Sequence, residues 1–205
     1  MTTGTFDQIT QDDLRAAGSL KWTNFPDMIG AFVAEMDFGL APAINSAVKD
    51  ALDLGVTGYL PEKLAKDLSQ ATARWYSDSY GWEISPERVH HVPDVIAAFE
   101  LAIEHFTTPG SAIIVPTPAY MPFLLVPPMH DRRVIEVPSI EVDGRWVMDL
   151  DAVAQAFRDG GEMLVLCNPH NPLGTVATRD ELLAIASVVT LSLIHISEPT
   201  RQAEI

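Results

Sequence analysis

From about residue 89 onward, short apolar runs alternate with amphipathic stretches, and this alternation leaves the chain few folds to choose from. Residues 112–115 (AIIV) form a continuous apolar run of the kind buried on both faces of a parallel sheet, and 133–137 and 163–167 repeat that character. Residues 89–92 are a shorter strand candidate. Between these runs lie helical patterns. Asp94 caps a stretch that turns Val95, Ala98, Ala102, Ile103 and Phe106 inward, 149–158 is a second helix, and Thr178-Arg-Asp-Glu181 is a capping box opening a third, which should reach about residue 189. Strands alternating with helices predict an α/β fold, three layers with a mostly parallel sheet. Ligands of such sheets sit beyond the carboxyl ends of the strands, so the loops after Val92, Val115 and Cys167 are the places to look for chemistry.

The first half is less regular. Pro42 opens a helix carrying Ile44, Ala47, Val48, Ala51 and Leu52, with Gly55 to stop it, and 62–80 carries Leu64, Leu68, Ala71 and Trp75 on one face before Gly81. The first 40 residues read as irregular, with scattered aromatics and no sustained period.

Composition narrows the partners. A net charge of −15 over 205 residues argues against nucleic acid or an anionic membrane, whose binding is driven by phosphate electrostatics. One cysteine, Cys167, precludes a disulfide framework and suits a reducing cytoplasm. No signal peptide is read at the N-terminus, and no run of 18 apolar residues occurs. The histidines show no metal-ligand spacing, so no metal site is expected.

Three motifs carry chemistry. At Val92-Pro-Asp94-Val95-Ile96, the free N–H groups of a helix start can hold a phosphate, although taken alone the junction reads as an ordinary cap by Asp94. In Pro116-Thr-Pro-Ala-Tyr120-Met-Pro-Phe123, prolines stiffen a loop whose Tyr120 can stack on a flat ring or serve as a packing aromatic. The most informative is Cys167-Asn-Pro-His-Asn171-Pro-Leu-Gly174. Two Asn-Pro pairs, either of which can be cis, pin the backbone so that an amide can meet one ligand oxygen. His170 reads as scaffold and Cys167 as inert packing at a strand end.

This last motif resembles the signature of the class I/II aminotransferase family, enzymes that use pyridoxal 5′-phosphate. Ser19-Leu-Lys-Trp22, Val33-Ala-Glu-Met-Asp-Phe38, Gly58-Tyr59 and Tyr120–Phe123 resemble its cystathionine β-lyase, or C–S lyase, subgroup. The resemblance runs from about Phe6 to about Val189. It implies that Asn171 bonds the pyridoxal 3′-oxygen, that Tyr120 stacks on the ring, and that the Val95 and Ile96 backbone holds the phosphate. It implies too that Tyr59 reaches the phosphate of a neighbouring subunit, so the expected form is a homodimer acting on a small amino-acid substrate. Phe32 stands where the subgroup more often has Trp, and Asp94 where glycine is commoner. A carboxylate there would repel phosphate, so Asp94 is expected to turn into its own helix cap.

A complete enzyme of this kind has about twice this length. The four lysines, Lys21, Lys49, Lys63 and Lys66, all precede the cofactor loops, so none matches the catalytic position. No catalytic residue is therefore assigned in the chain. From Leu191 the sequence LSLIHISEPTR resembles the translation of a sequencing-library adapter. The expected organisation is an N-terminal segment over 1–40, the first half of a cofactor-binding domain over 41–190, and a foreign tail over 191–205. The expected function is that of a truncated β-lyase. An aminotransferase and a non-catalytic regulatory protein on the same fold stay open as alternatives.

Overall fold

The computed structural model describes residues 7–193. It divides into two compact units, Met1–Pro86 and Glu87–Ile205.

The first unit is helical. Thr10 and Asp13 form a reciprocal capping box that starts α1 (Gln11–Ala17), and α2 (Leu20–Thr23) follows, so the stretch read as irregular contains two short helices. Their signal is local capping rather than period, because neither is long enough to show a repeating face. Trp22 is buried, and its indole N–H donates to Asp37 Oδ1 at 2.8 Å while Lys21 Nζ meets Asp37 Oδ2 at 2.7 Å. The Lys21 backbone N–H and ammonium also bond the Glu35 carboxylate and carbonyl. A Cβ on Gly30 would lie 2.6 Å from the Lys21 carbonyl oxygen, so only glycine lets the chain pass there. Then come α3 (Pro42–Asp53) and α4 (Glu62–Tyr80), the latter ended by Gly81 at φ +65°.

The Lys21 ammonium, and after it the Trp22 indole, hold the Asp37 carboxyl below its ordinary value of 3.8. A folded value below the unfolded one stabilises above the unfolded value and is lost as pH falls through the folded one. The gap in stability between the wild type and Asp37→Asn should therefore narrow as pH falls from about 5 to about 2. Urea midpoints measured across that range would show it, and a gap of constant width would refute the clasp.

A 3-10 turn at Pro86–Arg88 begins at the last residue of the first unit, and the second unit continues with α5 (Val95–Phe106) and then β1 (Ala112–Thr117). Next are α6 (Pro122–Met129), β2 (Arg133–Pro138), β3 (Ile140–Val142) and β4 (Arg145–Val147). The unit ends with α7 (Leu150–Arg158), β5 (Gly161–Leu164) and α8 (Arg179–Leu193). Strands β2-β1-β5 form a parallel sheet, and β3 pairs antiparallel with β4. Ile113 and Val115 of β1 join Ile103 and Val126 on one face, under α5 and α6. Ile114 joins Val137, Val153 and Ala156 on the other, under α7 and α8. Alternate residues of one strand thus feed two cores, which is the expected three-layer α/β/α arrangement.

Two strand expectations need correction. Residues 89–92 belong to neither of the two described sheets. The run expected over 163–167 is a strand only over Gly161–Leu164. The cause lies in its partner. Ala112 N–H donates to Gly160 and Ile114 C=O accepts from Val165, so the even residues of β1 face β5. The next donor on that side would be residue 116, a proline, which has no N–H. The ladder stops there and the strands part.

The hairpin β3–β4 and helix α6 were not legible by period. The hairpin's signal was the Asp143-Gly144 pair, whose φ values of +51° and +76° suit a tight two-residue turn. Helix α8 continues past the expected 189 to Leu193, and residues 194–205, most of the expected foreign tail, lie outside the described residues.

Candidate functional site

In sequence, β1 is followed by β2 on one side and, through α7, by β5 on the other. The strand order therefore reverses at β1, and the crevice between the carboxyl ends of β1 and β5 is a topological switch point, where open α/β sheets bind ligands. Pro116 opens this crevice by ending the ladder. The two proline-stiffened loops singled out in the sequence leave from these two strand ends and flank it.

Tyr120 stands in the loop after β1, 41% exposed. Its ring meets Phe123 edge to face at 5.5 Å, and Phe123 meets Phe99 of α5 in the same way at 5.4 Å. This row of rings fixes the tyrosine without burying it. Beside it a small cleft is lined by Val115, Ala119, Phe123, Cys167, His170 and Asn171.

The loop after β5 is held by its own polar groups. Its Asn168-Pro169 and Asn171-Pro172 bonds are cis, as is Thr117-Pro118 across the crevice. His170 N–H donates to Thr175 C=O at 2.8 Å, and Gly174 N–H donates to His170 C=O at 2.7 Å. Leu173 N–H points at His170 Nδ1, 3.4 Å away. Burial lowers the His170 pKa, which favours the neutral imidazole that accepts this bond, so the scaffold reading of His170 holds. Cys167 needs correction. It lies past the end of β5, half-buried, where its Sγ accepts from Asn171 N–H at 3.4 Å and donates to Pro169 C=O at 3.5 Å. The thiol therefore packs the turn rather than the strand. Asn171 sits at the exposed tip.

Helix α5 ends at the amino end of β1, through Thr107–Ser111, and Thr108 is tied to Glu162 at the start of β5 by bonds of 2.7 and 2.8 Å. Twelve residues of helix span about 18 Å, which carries the other end back toward the carboxyl ends of the strands. There Asp94 Oδ1 accepts from Ala97 N–H at 2.8 Å, as expected of a carboxylate turned into its cap. The Val95 and Ile96 N–H groups have no acceptor within the helix. Tyr59, in the loop between α3 and α4 of the first unit, is fully exposed.

A second cavity of about 250 Å³ lies between the hairpin, the Asn171 loop and α8, lined among others by Arg145, Trp146, Asn168, Leu173 and Glu181. The sequence reading did not single out Arg145 or Asn168. Among the described residues, no group of three or more His, Cys, Asp or Glu side chains could hold a metal ion, and no helix is long and apolar enough to cross a membrane.

Two stiffened loops at the switch point of a three-layer sheet, with a helix N-terminus directed to the same end, define an α/β domain with one ligand-binding edge. The chain belongs to the aminotransferase class I and II family, whose sequence profile matches residues 27–196. It is 42% identical over 178 residues to the cystathionine beta-lyase of Corynebacterium glutamicum, covering 86% of this chain and 46% of that protein. To cystathionine beta-lyase PatB of Bacillus subtilis it is 33% identical, covering 83% and 45%. The crystal structure of cystalysin from Treponema denticola, which contains pyridoxal 5′-phosphate, matches with a TM-score of 0.77 at 29% identity, covering 90% of this chain and 47% of that one. The resemblance drawn from the Asn-Pro loop is thereby borne out. The chain spans about half the length of the curated relatives it matches.

Proposed function

We propose that the protein carrying this chain is a pyridoxal-phosphate-dependent carbon–sulfur β-lyase, which releases a thiol, pyruvate and ammonia from cystathionine or a cysteine conjugate. The observation that carries this reading is the 42% identity to a cystathionine beta-lyase across a segment that includes both crevice loops. The residues present fit the cofactor. The one carboxylate that would oppose a phosphate, Asp94, is engaged with Ala97 N–H, which leaves the helix start positive.

In this reading the Val95 and Ile96 N–H groups take the phosphate, and the Tyr120 ring, braced by Phe123, lies against the pyridine face. The Asn171 amide donates to the 3′-oxygen. Pyridoxal phosphate, when bound, supplies an electron sink for the pair left at the α-carbon. These residues hold and orient, and none of them moves a proton. The lysine needed as Schiff-base partner and general base lies outside these 205 residues, as do the substrate's carboxylate contacts. Tyr59 serves the site of a second subunit in a cytoplasmic homodimer.

The full-length protein, loaded with pyridoxal phosphate and given L-cystathionine without any keto acid, should release pyruvate and ammonia in equal amounts. Turnover that requires an added keto acid would overturn the lyase reading in favour of transamination on the same scaffold.

A further inference from the structure

Three consecutive residues on the return limb of the Asn171 loop have a backbone group held by a side chain. Val176 C=O accepts from Arg145 Nη2, on the hairpin. Ala177 N–H donates to Asn168 Oδ1 at 3.0 Å, and Thr178 N–H donates to Glu181 Oε2 at 2.6 Å. That same Glu181 oxygen accepts from Arg145 Nη2 at 3.0 Å. The Thr178 backbone bond is the chief reason that the Glu181 carboxyl lies below its usual range, with Arg145 adding to it, so the acceptor stays charged near neutrality. The tip, by contrast, has little packing to locate it. Asn171, Pro172 and Gly174 are all exposed. The hydrogen-bonded limbs behind a tip of this kind decide where its side chain stands.

We propose that Asn168, backed by the Arg145–Glu181 pair, is a positioning residue that sets where the Asn171 amide meets the cofactor. This rests on the reading of Asn171 given above. Asn168 joins the entry limb directly to the exit limb across the loop. Arg145 ties that exit limb to a hairpin 31 residues away in sequence, whose two strands pair with each other. The brace needs an acceptor at position 168 rather than an amide, because Oδ1 is the atom that receives the Ala177 N–H. It works at a distance, so it should alter cofactor affinity and electronics with little change in the fold of the empty protein.

The test uses the full-length protein stripped of cofactor and titrated with pyridoxal phosphate. Asn168→Ala should raise the dissociation constant about 10-fold, the effect of one well-placed hydrogen bond. Asn168→Asp, which keeps the acceptor, should stay within about 3-fold of wild type, and Arg145→Met should fall between the two. A second readout is the pH at which the bound cofactor's visible band changes. An amide donating to the 3′-oxygen draws negative charge away from the neighbouring protonated nitrogen, so weakening that bond should move the midpoint upward. Asn168→Ala should move it in the same direction as Asn171→Ala, and less far. Thermal melting of the cofactor-free protein should be nearly the same for all variants.

Wild-type affinity in Asn168→Ala would overturn the proposal, and so would equal damage from Ala and Asp or an equal loss of melting temperature with and without cofactor. Should Asn171→Ala itself leave affinity and midpoint unchanged, the placement of Asn171 at the cofactor fails first, and the brace fails with it.

Discussion

Replacing Gly161 by alanine should lower the stability of the protein by about 2 kcal/mol, a fall of about 1 M in urea midpoint. The reason is space rather than backbone freedom, because Gly161 does not adopt a positive φ. It opens β5 opposite Ala112 of β1, where the register of the two strands shifts. A Cβ there would lie 2.6 Å from Cδ1 and from Cγ1 of Ile114 and 2.9 Å from the Ala156 carbonyl oxygen. Ile114 is fully buried and Ala156 belongs to the backbone of α7, so neither can retreat cheaply. A double-mutant cycle separates this collision from a general loss of strand pairing. In an Ile114→Ala background both offending carbons are gone, and the cost of Gly161→Ala should shrink by at least about 1 kcal/mol. Additive effects of the two changes would refute the steric account.

Arg132→Met should cost about 3 kcal/mol, although no carboxylate is lost with the charge. Arg132 is 8% exposed. Its Nε donates to Thr107 Oγ1 at 3.0 Å, Nη2 to the carbonyls of Thr107 at 2.8 Å and Ile103 at 3.4 Å, and Nη1 to the carbonyl of His130. The Thr107 and His130 carbonyls belong to the C-caps of α5 and α6, where the aligned peptide dipoles leave negative partial charge, and the Ile103 carbonyl also accepts the Thr107 N–H. One guanidinium thus closes two helix ends at the edge of the core. Methionine keeps most of the aliphatic stem and removes every donor, so the change isolates the polar effect. Lysine should recover less than half of the loss, since a single ammonium cannot address acceptors on opposite sides of a planar fork. The comparison is made by chemical denaturation. A methionine variant within about 0.5 kcal/mol of wild type would show that water satisfies these carbonyls equally well.

Neither residue stands out in the sequence, and the contrast with those that do is instructive. The caps at Asp94 and Thr178 were legible because each bond closes within three residues. Helix α4 was legible end to end, Glu62 to Tyr80, because a period and a terminal glycine are both written locally. The Asn171 loop was legible for a related reason, since its stiffness comes from prolines inside it. Gly161, Arg132 and Arg145 act on partners met only after folding. Arg132 reaches back 25 residues to Thr107, and Arg145 forward 36 to Glu181.

By itself, then, the sequence determined the longer helices, α3, α4, α5, α7 and α8, most of the apolar strands of the parallel sheet, and which two loops are stiffened by proline. The order of the strands was left to the tertiary structure, and with it the fact that those two loops share one crevice. So was the point where β5 leaves β1, because a missing N–H at Pro116 matters only once the neighbour that would have received it is known. A residue's own conformation is governed by atoms within about one helical turn, whereas the partners of a strand end or a buried guanidinium are chosen by the packing of the whole sheet.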